Sequence, residues 1–438
     1  MDGAYEIWTH DRRHSLIPGG AHTYSRGDDQ YPALAPEILV RGKGCQVWDQ
    51  FDNRFLDWGM GLRSVILGYA DVEVDQAAFE AAKKGINLSR VTIDELELAQ
   101  LLTEIIPGAE MVKFGKNGSD ATAAAIRLAR AFTGRDLVLR CRDNPFLGVH
   151  DWFIGSTVMS RGIPRSVADL TKTFAYNDLD EIDELIDCFA GKIAAIILEP
   201  VGFESPSPGY LVELKRRAND NGIVLIFDET ITGFRLSIGG AQSYYGVTPD
   251  LSTFGKALAN GYPLSALVGR REIMELGGIK HTSDRVFIMS STYGAERASI
   301  AAGMTTIRKL QASSVLADNA IVAENLVKCL RQSIDRFGLN NRIRVEGLSL
   351  LPKVTFLDNS QGEDYLLKTL FMQEMIVRGC LLPPYFMSVC AAHRQDELDI
   401  TKSAIYDSLD LISNSGALDS PRDFLKGPEV KPVFRSKN

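Results

Sequence analysis

The chain has 438 residues, with 45% hydrophobic residues and a formal net charge of -8 from 48 basic and 56 acidic side chains. This length allows two domains with a sizeable core. The acidic balance gives no basic footprint for nucleic acid. No stretch approaches the roughly 18 consecutive apolar residues of a membrane span, and the first residues show no signal peptide. We therefore expect neither nucleic acid nor a membrane as a partner.

The six cysteines are scattered along the chain without the CxxC spacing of a zinc or redox site. This usage is typical of reduced thiols and predicts a cytoplasmic protein rather than a disulfide framework. The six histidines form no HExxH pair. The sequence therefore predicts no metal site.

The order of patterns along the chain predicts an α/β fold with a large and a small domain. Residues 1–60 contain a loop-like segment and a β-meander of two strands joined near Gln50 to Asn53. Residues 61–310 alternate short apolar runs with helical patterns, which is typical of a mostly parallel sheet covered by helices. Residues 311–438 add helices and strands that predict, together with the N-terminal segment, a smaller α+β domain.

Two helices of the large domain have recognisable ends. The first starts near Asp94 and stops at Pro107-Gly108. Its apolar face is predicted to consist of Leu96, Ala99, Leu102 and Ile106. The second follows the strand MVKFG, with Ser119 as the expected N-cap and Gly134 as the residue that ends it.

Lys256 follows a short apolar strand that ends at Phe254, and it is flanked by Gly255 and Ala257. A single lysine is ordinarily a solvated surface charge, and this remains the alternative interpretation. A lysine just past a buried strand end is instead dehydrated, which disfavours the ammonium and lowers its pKa. A Schiff-base nucleophile needs that property.

Asp228 ends another apolar strand, in the segment IVLIFDETITGFR. An Asp that holds a pyridine nitrogen and a Lys that holds an aldehyde are the two protein groups that pyridoxal 5'-phosphate (PLP) requires. Thr230 is then placed to touch the ring face, and Glu199 ends the neighbouring strand in a supporting role. The alternative is that Asp228 and Glu229 are solvated loop carboxylates.

The turn Lys116 to Ser119 opens the alanine-rich helix and is the fourth feature at a strand end. Backbone N–H groups, the helix dipole and the Ser119 hydroxyl form an anion pocket suited to a phosphate monoester, although a plain serine N-cap has the same pattern. Neither the P-loop motif nor GxGxxG is present. Ligands of open parallel sheets bind beyond the carboxyl ends of strands, so these features are expected to converge.

Taken together, these segments resemble the class III aminotransferases of the fold-type I PLP enzymes, and most closely the glutamate-1-semialdehyde 2,1-aminomutase subgroup. The resemblance runs from about Ile17 to Ile400. It is carried by IPGG, KNGSDATAAAIRLARAFTGRD, ILEPV, LIFDETITGFR and TFGKALANGYPLSALVGRR. It implies that Lys256 bonds PLP and shuttles the proton, that Asp228 holds the pyridine nitrogen, and that Gly118 and Ser119 hold the phosphate.

The same resemblance implies further cofactor contacts and an obligate homodimer with shared active sites. Phe146 matches an aromatic residue, usually Tyr, that stacks on the cofactor. Thr292 matches a threonine that reaches the phosphate of the other subunit. The family's Tyr-His-Gly triplet is Phe146-Leu147-Gly148 here, and its SGT phosphate turn is NGS. Stacking and an anion pocket are retained, while polar contacts at the triplet are lost.

Three substrate-binding residues follow from the resemblance. Arg26 matches the arginine that binds the aminomutase substrate's carboxylate, and Arg63 falls where those enzymes have a pocket tryptophan or its neighbour. Two inward-facing guanidinium groups favour an anionic substrate, whereas exposed loop arginines are the alternative. Met387 stands where the aminomutases carry an active-site glutamate.

These observations predict a PLP-dependent aminotransferase. It would move an amino group from an amino donor to an aldehyde or ketone by ping-pong through pyridoxamine phosphate. Loss of the glutamate at Met387 counts against strict aminomutase chemistry. Two alternatives remain, namely an intramolecular glutamate-1-semialdehyde 2,1-aminomutase and a non-catalytic PLP-fold binding protein.

Overall fold

The computed structural model describes residues 8–383 and 387–436. The strands are β1 Leu39–Lys43, β2 Gln46–Asp49, β3 Arg54–Asp57, β4 Met111–Gly115, β5 Leu137–Cys141, β6 Thr171–Phe174, β7 Ile193–Leu198, β8 Val224–Asp228, β9 Leu251–Phe254, β10 Ser265–Gly269, β11 Ile343–Glu346, β12 Lys353–Phe356 and β13 Cys380–Leu381.

The longer helices are Val72–Lys83, Ile93–Ile105, Gly118–Thr133, Leu179–Cys188, Tyr210–Asp220, Arg297–Ala312, Val315–Arg336, Tyr365–Val377 and Gln395–Asn414. Shorter helices are His10–Leu16, Asp151–Ile154, Arg165–Ala168, Gly240–Tyr245 and Arg271–Met274. Within the described residues, no helix is both long and apolar enough to cross a membrane.

The chain divides into two compact units. Of the described residues, one unit holds those within Met1–Leu62, Leu67–Asp71 and Ala317–Arg435. The other holds those within Arg63–Ile66, Val72–Leu316 and Ser436–Asn438. The second unit carries the large sheet, and the first carries the two smaller ones.

The large sheet has the strand order β4-β10-β9-β8-β7-β5-β6. Strand β10 pairs antiparallel with both of its neighbours, and the pairs from β9 through β6 are parallel. Every residue of β5, β7, β8, β9 and β10 is buried. The predicted mostly parallel sheet is confirmed, and its continuous apolar runs reflect helices on both faces.

The smaller unit contains a sheet of order β1-β2-β3-β13 and the hairpin β11-β12. The meander has three strands within the described chain, so the prediction of two strands was wrong. An additional turn separates β1 from β2, and it is made by Gly44 at φ 61, a left-handed conformation that glycine adopts without steric penalty. The expected turn at Gln50 to Asn53 does separate β2 from β3.

The apolar face predicted for the helix Ile93–Ile105 is confirmed in part, because Leu102 and Ile106 are buried while Leu96 is exposed. Leu98 and Leu102 are fully buried, whereas Leu96 is 59% exposed. The helix packs against the helix Arg297–Ala312, and a Cβ atom on Gly303 would lie within van der Waals distance of Leu98. The i, i+4 pair Leu98 and Leu102 thus decides the orientation.

The helix Gly118–Thr133 begins two residues earlier than a Ser119 N-cap predicts. Asn117 is the N-cap, and its backbone N–H donates to Asp120 Oδ2 at 2.8 Å. Gly134 ends the helix at φ 67, as predicted. The Ser119 hydroxyl is consequently not used as the cap.

Candidate active site

The order of strands in the large sheet brings three polar side chains to one edge. Strands β7, β8 and β9 are consecutive neighbours, and all three run in the same direction. Glu199 follows the end of β7, Asp228 ends β8, and Lys256 comes two residues after β9. Their side chains therefore meet beyond the carboxyl ends of the strands, where open sheets bind ligands.

Lys256 is held by a buried and conformationally unusual segment. Its backbone lies in the left-handed region at φ 47, which costs a non-glycine residue about 1 kcal/mol or more. The three residues after it, Ala257 to Ala259, are completely buried and keep it in place. Lys256 as a residue is partly exposed, while its neighbours Gly255 and Ala257 are buried.

Lys256 lies in a cluster of five charged groups. Burial lowers the pKa of Lys256, and the positive charges of Arg63 and Arg235 lower it further, while Glu199 and Asp228 oppose the shift. The cluster thus contains three basic and two acidic groups. An anionic ligand would balance the charge of this buried region.

Asp228 is buried, and one of its two carboxylate oxygens accepts hydrogen bonds. The backbone N–H of Thr230 donates to Asp228 Oδ1 at 3.0 Å, and the Thr253 hydroxyl donates to the same oxygen at 2.9 Å. Burial raises the pKa of Asp228, although these hydrogen bonds and Lys256 oppose the shift. Among the described residues we find no hydrogen bond to Oδ2, so that oxygen is available to a cationic N–H group.

The adjacent Glu229 is structural. Its carboxylate accepts hydrogen bonds from the Thr232 hydroxyl at 2.5 Å and from the backbone N–H groups of Ala241 and Gln242 at 2.7 and 2.8 Å. Burial raises the pKa of Glu229 to about 7, against these hydrogen bonds. Both acids are buried, so the alternative of two solvated loop carboxylates is wrong.

Glu199 is buried beside the lysine. Its backbone N–H donates to Asn144 Oδ1 at 2.8 Å, and its Oε1 atom has no hydrogen-bond partner among the described residues. Burial and the nearby Asp228 raise the pKa of Glu199, while Lys256 and Arg63 oppose the increase. A buried carboxyl oxygen of this kind is an acceptor for a ligand hydroxyl or N–H group.

Arg63 is buried, with only 5% of its surface exposed, so the alternative of an exposed loop arginine is wrong at this position. Burial and the neighbouring Arg235 lower the pKa of Arg63 to about 9, while Glu199 opposes the shift. Arg235 is 2% exposed and donates from Nη2 to the Arg63 carbonyl oxygen at 2.7 Å.

Sequence reasoning missed Arg235. The signal was present, because this arginine ends the same LIFDETITGFR segment that contains Asp228. Its position after a glycine and an aromatic residue gave no reason to place it inside the protein.

The turn before the helix Gly118–Thr133 is tightly packed. A Cβ atom on Gly118 would lie 2.9 Å from the Thr230 hydroxyl oxygen, so only glycine leaves the space between them open. The Ser119 hydroxyl accepts from the backbone N–H of Val149 at 3.2 Å. The Thr122 hydroxyl donates to the Leu147 carbonyl oxygen at 2.7 Å. These bonds tie the loop after β5 to the helix start.

Two predicted cofactor contacts lie on exposed positions of the same unit. Phe146 is 48% exposed, and its ring meets the Phe153 ring edge-on at a centroid distance of 5.8 Å. Thr292 is exposed. An aromatic face open to solvent can accept a stacked ring, and the cofactor roles of both residues stay predictions.

Arg26 and Met387 belong to the other unit. Arg26 is exposed within the turn Tyr24–Arg26, and its charge acts on the buried Asp57. Met387 is 5% exposed, next to Ser388, whose backbone N–H donates to the Trp58 carbonyl oxygen. Their predicted roles at the substrate stay predictions.

Comparison with known proteins decides the family. The model of the family "Aminotransferase class-III" matches residues 25–380. The chain belongs to the class III aminotransferases. It is a PLP-dependent enzyme of fold-type I, which confirms the family, fold and cofactor inferred from its motifs.

Curated relatives of this class III aminotransferase carry two different activities in their names. It is 34% identical over 402 residues to 3-aminobutyryl-CoA aminotransferase of Cloacimonas acidaminovorans, covering 90% of this chain and 94% of the relative. It is also 34% identical over 424 residues to glutamate-1-semialdehyde 2,1-aminomutase of Methanothermobacter thermautotrophicus, covering 92% and 98%.

Solved structures with the same fold include a PLP-bound protein and an omega-transaminase. The FumI protein of Sphingopyxis sp. MTA144 has a TM-score of 0.85 and 25% identity, with 94% of this chain and 96% of that one covered. An omega-transaminase from Sphaerobacter thermophilus has a TM-score of 0.82 and 25% identity, with coverage of 91% and 96%.

The residues at this edge of the sheet fit PLP. Asp228 Oδ2 suits the pyridine N–H, Lys256 suits the aldehyde, and the backbone N–H groups of the helix N-terminus at Gly118 suit the phosphate. Glu199 Oε1, on the same edge, is a buried acceptor without a hydrogen-bond partner among the described residues.

Proposed function

We propose that this class III aminotransferase catalyses an intermolecular transamination in which at least one small substrate is anionic. The observation that carries the proposal is the cluster of Arg63, Arg235 and Lys256 against Glu199 and Asp228. PLP, when bound, supplies a carbonyl group that carries the amine and a ring that takes up electrons.

The chain's own residues have distinct parts in this proposal. Lys256 removes the proton from the substrate carbon that bears the amine and returns one at the neighbouring position, which its lowered pKa favours near neutral pH. Asp228 keeps the ring nitrogen protonated through Oδ2. Gly118 and Ser119 hold the phosphate at the helix N-terminus.

Arg63 is the proposed anchor for a carboxylate or phosphate of the substrate. Its guanidinium is buried and close enough to Glu199 for the two charges to interact. A guanidinium fixed in a region of low dielectric binds an anion more strongly than one in water does. Arg26 is proposed as the second anion-binding residue, from the family motif alone.

The experiment that tests this proposal uses pairs of amine donors. In each pair, one donor carries a carboxylate and the other carries the corresponding neutral amide. Amino transfer is read from the absorbance of the bound cofactor and from product formation. We expect the wild type to prefer the carboxylates, and Arg63→Gln to reduce that preference about 10- to 100-fold, as loss of a charged hydrogen bond predicts. If Arg63→Gln prefers the carboxylate donors as strongly as the wild type does, the role of Arg63 is contradicted.

An intramolecular 2,1-aminomutase is the second candidate, favoured by the aminomutase relatives. Purified enzyme incubated with glutamate-1-semialdehyde and no second amine separates the two. Sustained formation of aminolevulinate under those conditions would refute our choice. The third alternative, a non-catalytic binding protein, does not require Lys256 and Asp228, and both are present.

We also propose a homodimer, supported by apolar side chains on the outer surface of the larger unit. Val72, Phe79, Ile93 and Leu96 are 59% to 78% exposed on two helices whose inner faces pack on the helix Arg297–Ala312. Surfaces of this kind mark association sites. Light scattering is expected to give twice the chain mass. A monomeric wild type with full activity would contradict shared active sites.

A cytoplasmic location remains a prediction from the unpaired cysteines.

A further inference from the structure

The N-terminal helix His10–Leu16 carries His10 and His14 on one face. Both face Asp28, which lies 14 residues after His14. His10 and His14 are four residues apart, and their rings stack at a centroid distance of 4.2 Å. Asp28 Oδ2 lies 3.3 Å from His10 Nε2 and 2.8 Å from His14 Nε2. One ligand atom from each residue lies within 4.8 Å of the other two.

One of these two separations matches that between metal ligands, and the other is slightly shorter. Ligands of a tetrahedral zinc ion at bond lengths of about 2.0–2.1 Å stand roughly 3.3 Å from one another. The His10 contact already has this length, and the His14 contact needs an opening of about half an ångström. Two imidazoles and one carboxylate form a ligand set for divalent transition metals.

The surroundings hold the three ligands in place. Asp11 Oδ1 lies 3.2 Å from His10 Nδ1, which leaves Nε2 as the nitrogen directed at Asp28. Arg13 Nη2 donates to Asp28 Oδ1 at 2.7 Å, so the other oxygen faces the histidines. Partners of this kind orient metal ligands in known sites.

The position of His14 also depends on a glycine. A Cβ atom on Gly20 would lie 2.7 Å from His14 Nε2, and Gly20 has a φ of 70. The absence of a side chain at Gly20 therefore leaves the space that the imidazole occupies. The His10 side chain is 55% exposed, which leaves a fourth coordination position open to water.

We propose that His10, His14 and Asp28 bind one divalent transition-metal ion, with Zn²⁺ as the probe. Sequence reasoning predicted no metal site, because it looked for HExxH and the third ligand lies outside the helix. The site belongs to the smaller unit and contains none of the residues assigned to PLP. Its role is to fasten the helix His10–Leu16 to the turn Asp28–Gln30.

The competing interpretation is that protonated histidines simply pair with Asp28. The two differ in what they bind. A metal ion takes up one imidazole nitrogen of each histidine and one carboxylate oxygen as ligands, whereas an ion pair binds no metal.

The test is calorimetric titration of the chelator-treated, PLP-loaded full-length enzyme with ZnCl₂ at pH 7.5. We expect one tight equivalent in the wild type and in His281→Ala, a control histidine that contacts Ser283. His14→Ala and Asp28→Asn are expected to weaken that equivalent at least about 100-fold, since even supporting partners of metal ligands contribute 10–100-fold.

The absorption spectrum of the Co²⁺-loaded enzyme and the melting temperature in the presence of Zn²⁺ give two independent measurements of metal binding. Zn²⁺ should raise the melting temperature of the wild type by mass action but not that of His14→Ala. Circular dichroism checks that each variant folds, and His10→Gln replaces any variant that does not. The proposal is overturned if the wild type binds no equivalent, or if the ligand variants bind as tightly as the control.

Discussion

Arg235 donates a hydrogen bond from Nη2 to the carbonyl oxygen of Arg63 over 2.7 Å. That carbonyl ends the turn Met60–Arg63, in which the φ angles run from 42 to 66. Consecutive left-handed residues cost roughly 1–2 kcal/mol each outside glycine. A buried guanidinium that secures the last of them therefore keeps Arg63 beside Lys256 in spite of the local strain.

Arg235→Gln is expected to raise the pKa of Lys256. The substitution removes a positive charge that disfavours the protonated amine, so the protonated form persists to higher pH. The pH midpoint of the absorbance of lysine-bound PLP, and the limb of the pH–rate profile governed by Lys256, should both move upward. Arg235→Lys keeps the charge and should shift the midpoint less. An unmoved midpoint in a fully PLP-loaded Gln variant would contradict this coupling.

Lys256→Ala is expected to abolish turnover and the visible absorbance of covalently held PLP. Asp228, Gly118 and Ser119 remain, so PLP should still bind, though weakly. Lys113→Ala removes an exposed lysine from strand β4 and should change neither property. An undiminished spectrum in Lys256→Ala would remove this residue from the site.

Gly118 and Gly134, at the two ends of one helix, provide a matched pair. Gly118→Ala places a Cβ 2.9 Å from the Thr230 hydroxyl and should weaken PLP binding about tenfold or more, measured by cofactor titration. Gly134→Ala meets nothing within 4 Å but forces a side chain to φ 67, so it should lower stability by about 1 kcal/mol. Equal PLP affinity in both variants would contradict the phosphate assignment.

Substitutions of Asp228 and Glu229 are expected to affect different properties, namely activity for Asp228 and stability for Glu229. Asp228→Asn removes the charge facing the ring nitrogen, and should lower kcat by about 10-fold or more with a small effect on unfolding, since a charged hydrogen bond contributes roughly 1.5–3 kcal/mol. Glu229→Ala leaves two buried backbone N–H groups unpaired and should lower the unfolding free energy by about 2–4 kcal/mol. Urea denaturation and steady-state kinetics measure both, and the reverse pattern would refute the division.

Arg26→Ala is expected to raise KM for the anionic substrate far more than it changes PLP affinity. Its basis is the family motif, since Arg26 lies in the smaller unit. Arg41→Ala is the control, because Arg41 is an exposed arginine of the same unit that pairs with Asp52. An unchanged KM in Arg26→Ala would exclude this arginine from substrate binding.

The sequence alone determined the mostly parallel sheet and the family, because continuous apolar runs between helical patterns are typical of a sheet buried on both faces. It also placed Asp228 and Lys256 at the ends of buried strands, while their roles toward PLP stay predictions. It placed Leu96 rather than Leu98 on the buried face of the helix Ile93–Ile105, since the two residues are equally apolar and only tertiary packing distinguishes them.

Tertiary structure decided which of the adjacent acids Asp228 and Glu229 is structural. The Glu229 carboxylate accepts hydrogen bonds from two backbone N–H groups of a helix later in the chain. Tertiary structure also revealed Arg235 and the grouping of His10, His14 and Asp28. Contacts between residues distant in sequence depend on how the chain folds back, and no periodicity or local motif encodes them.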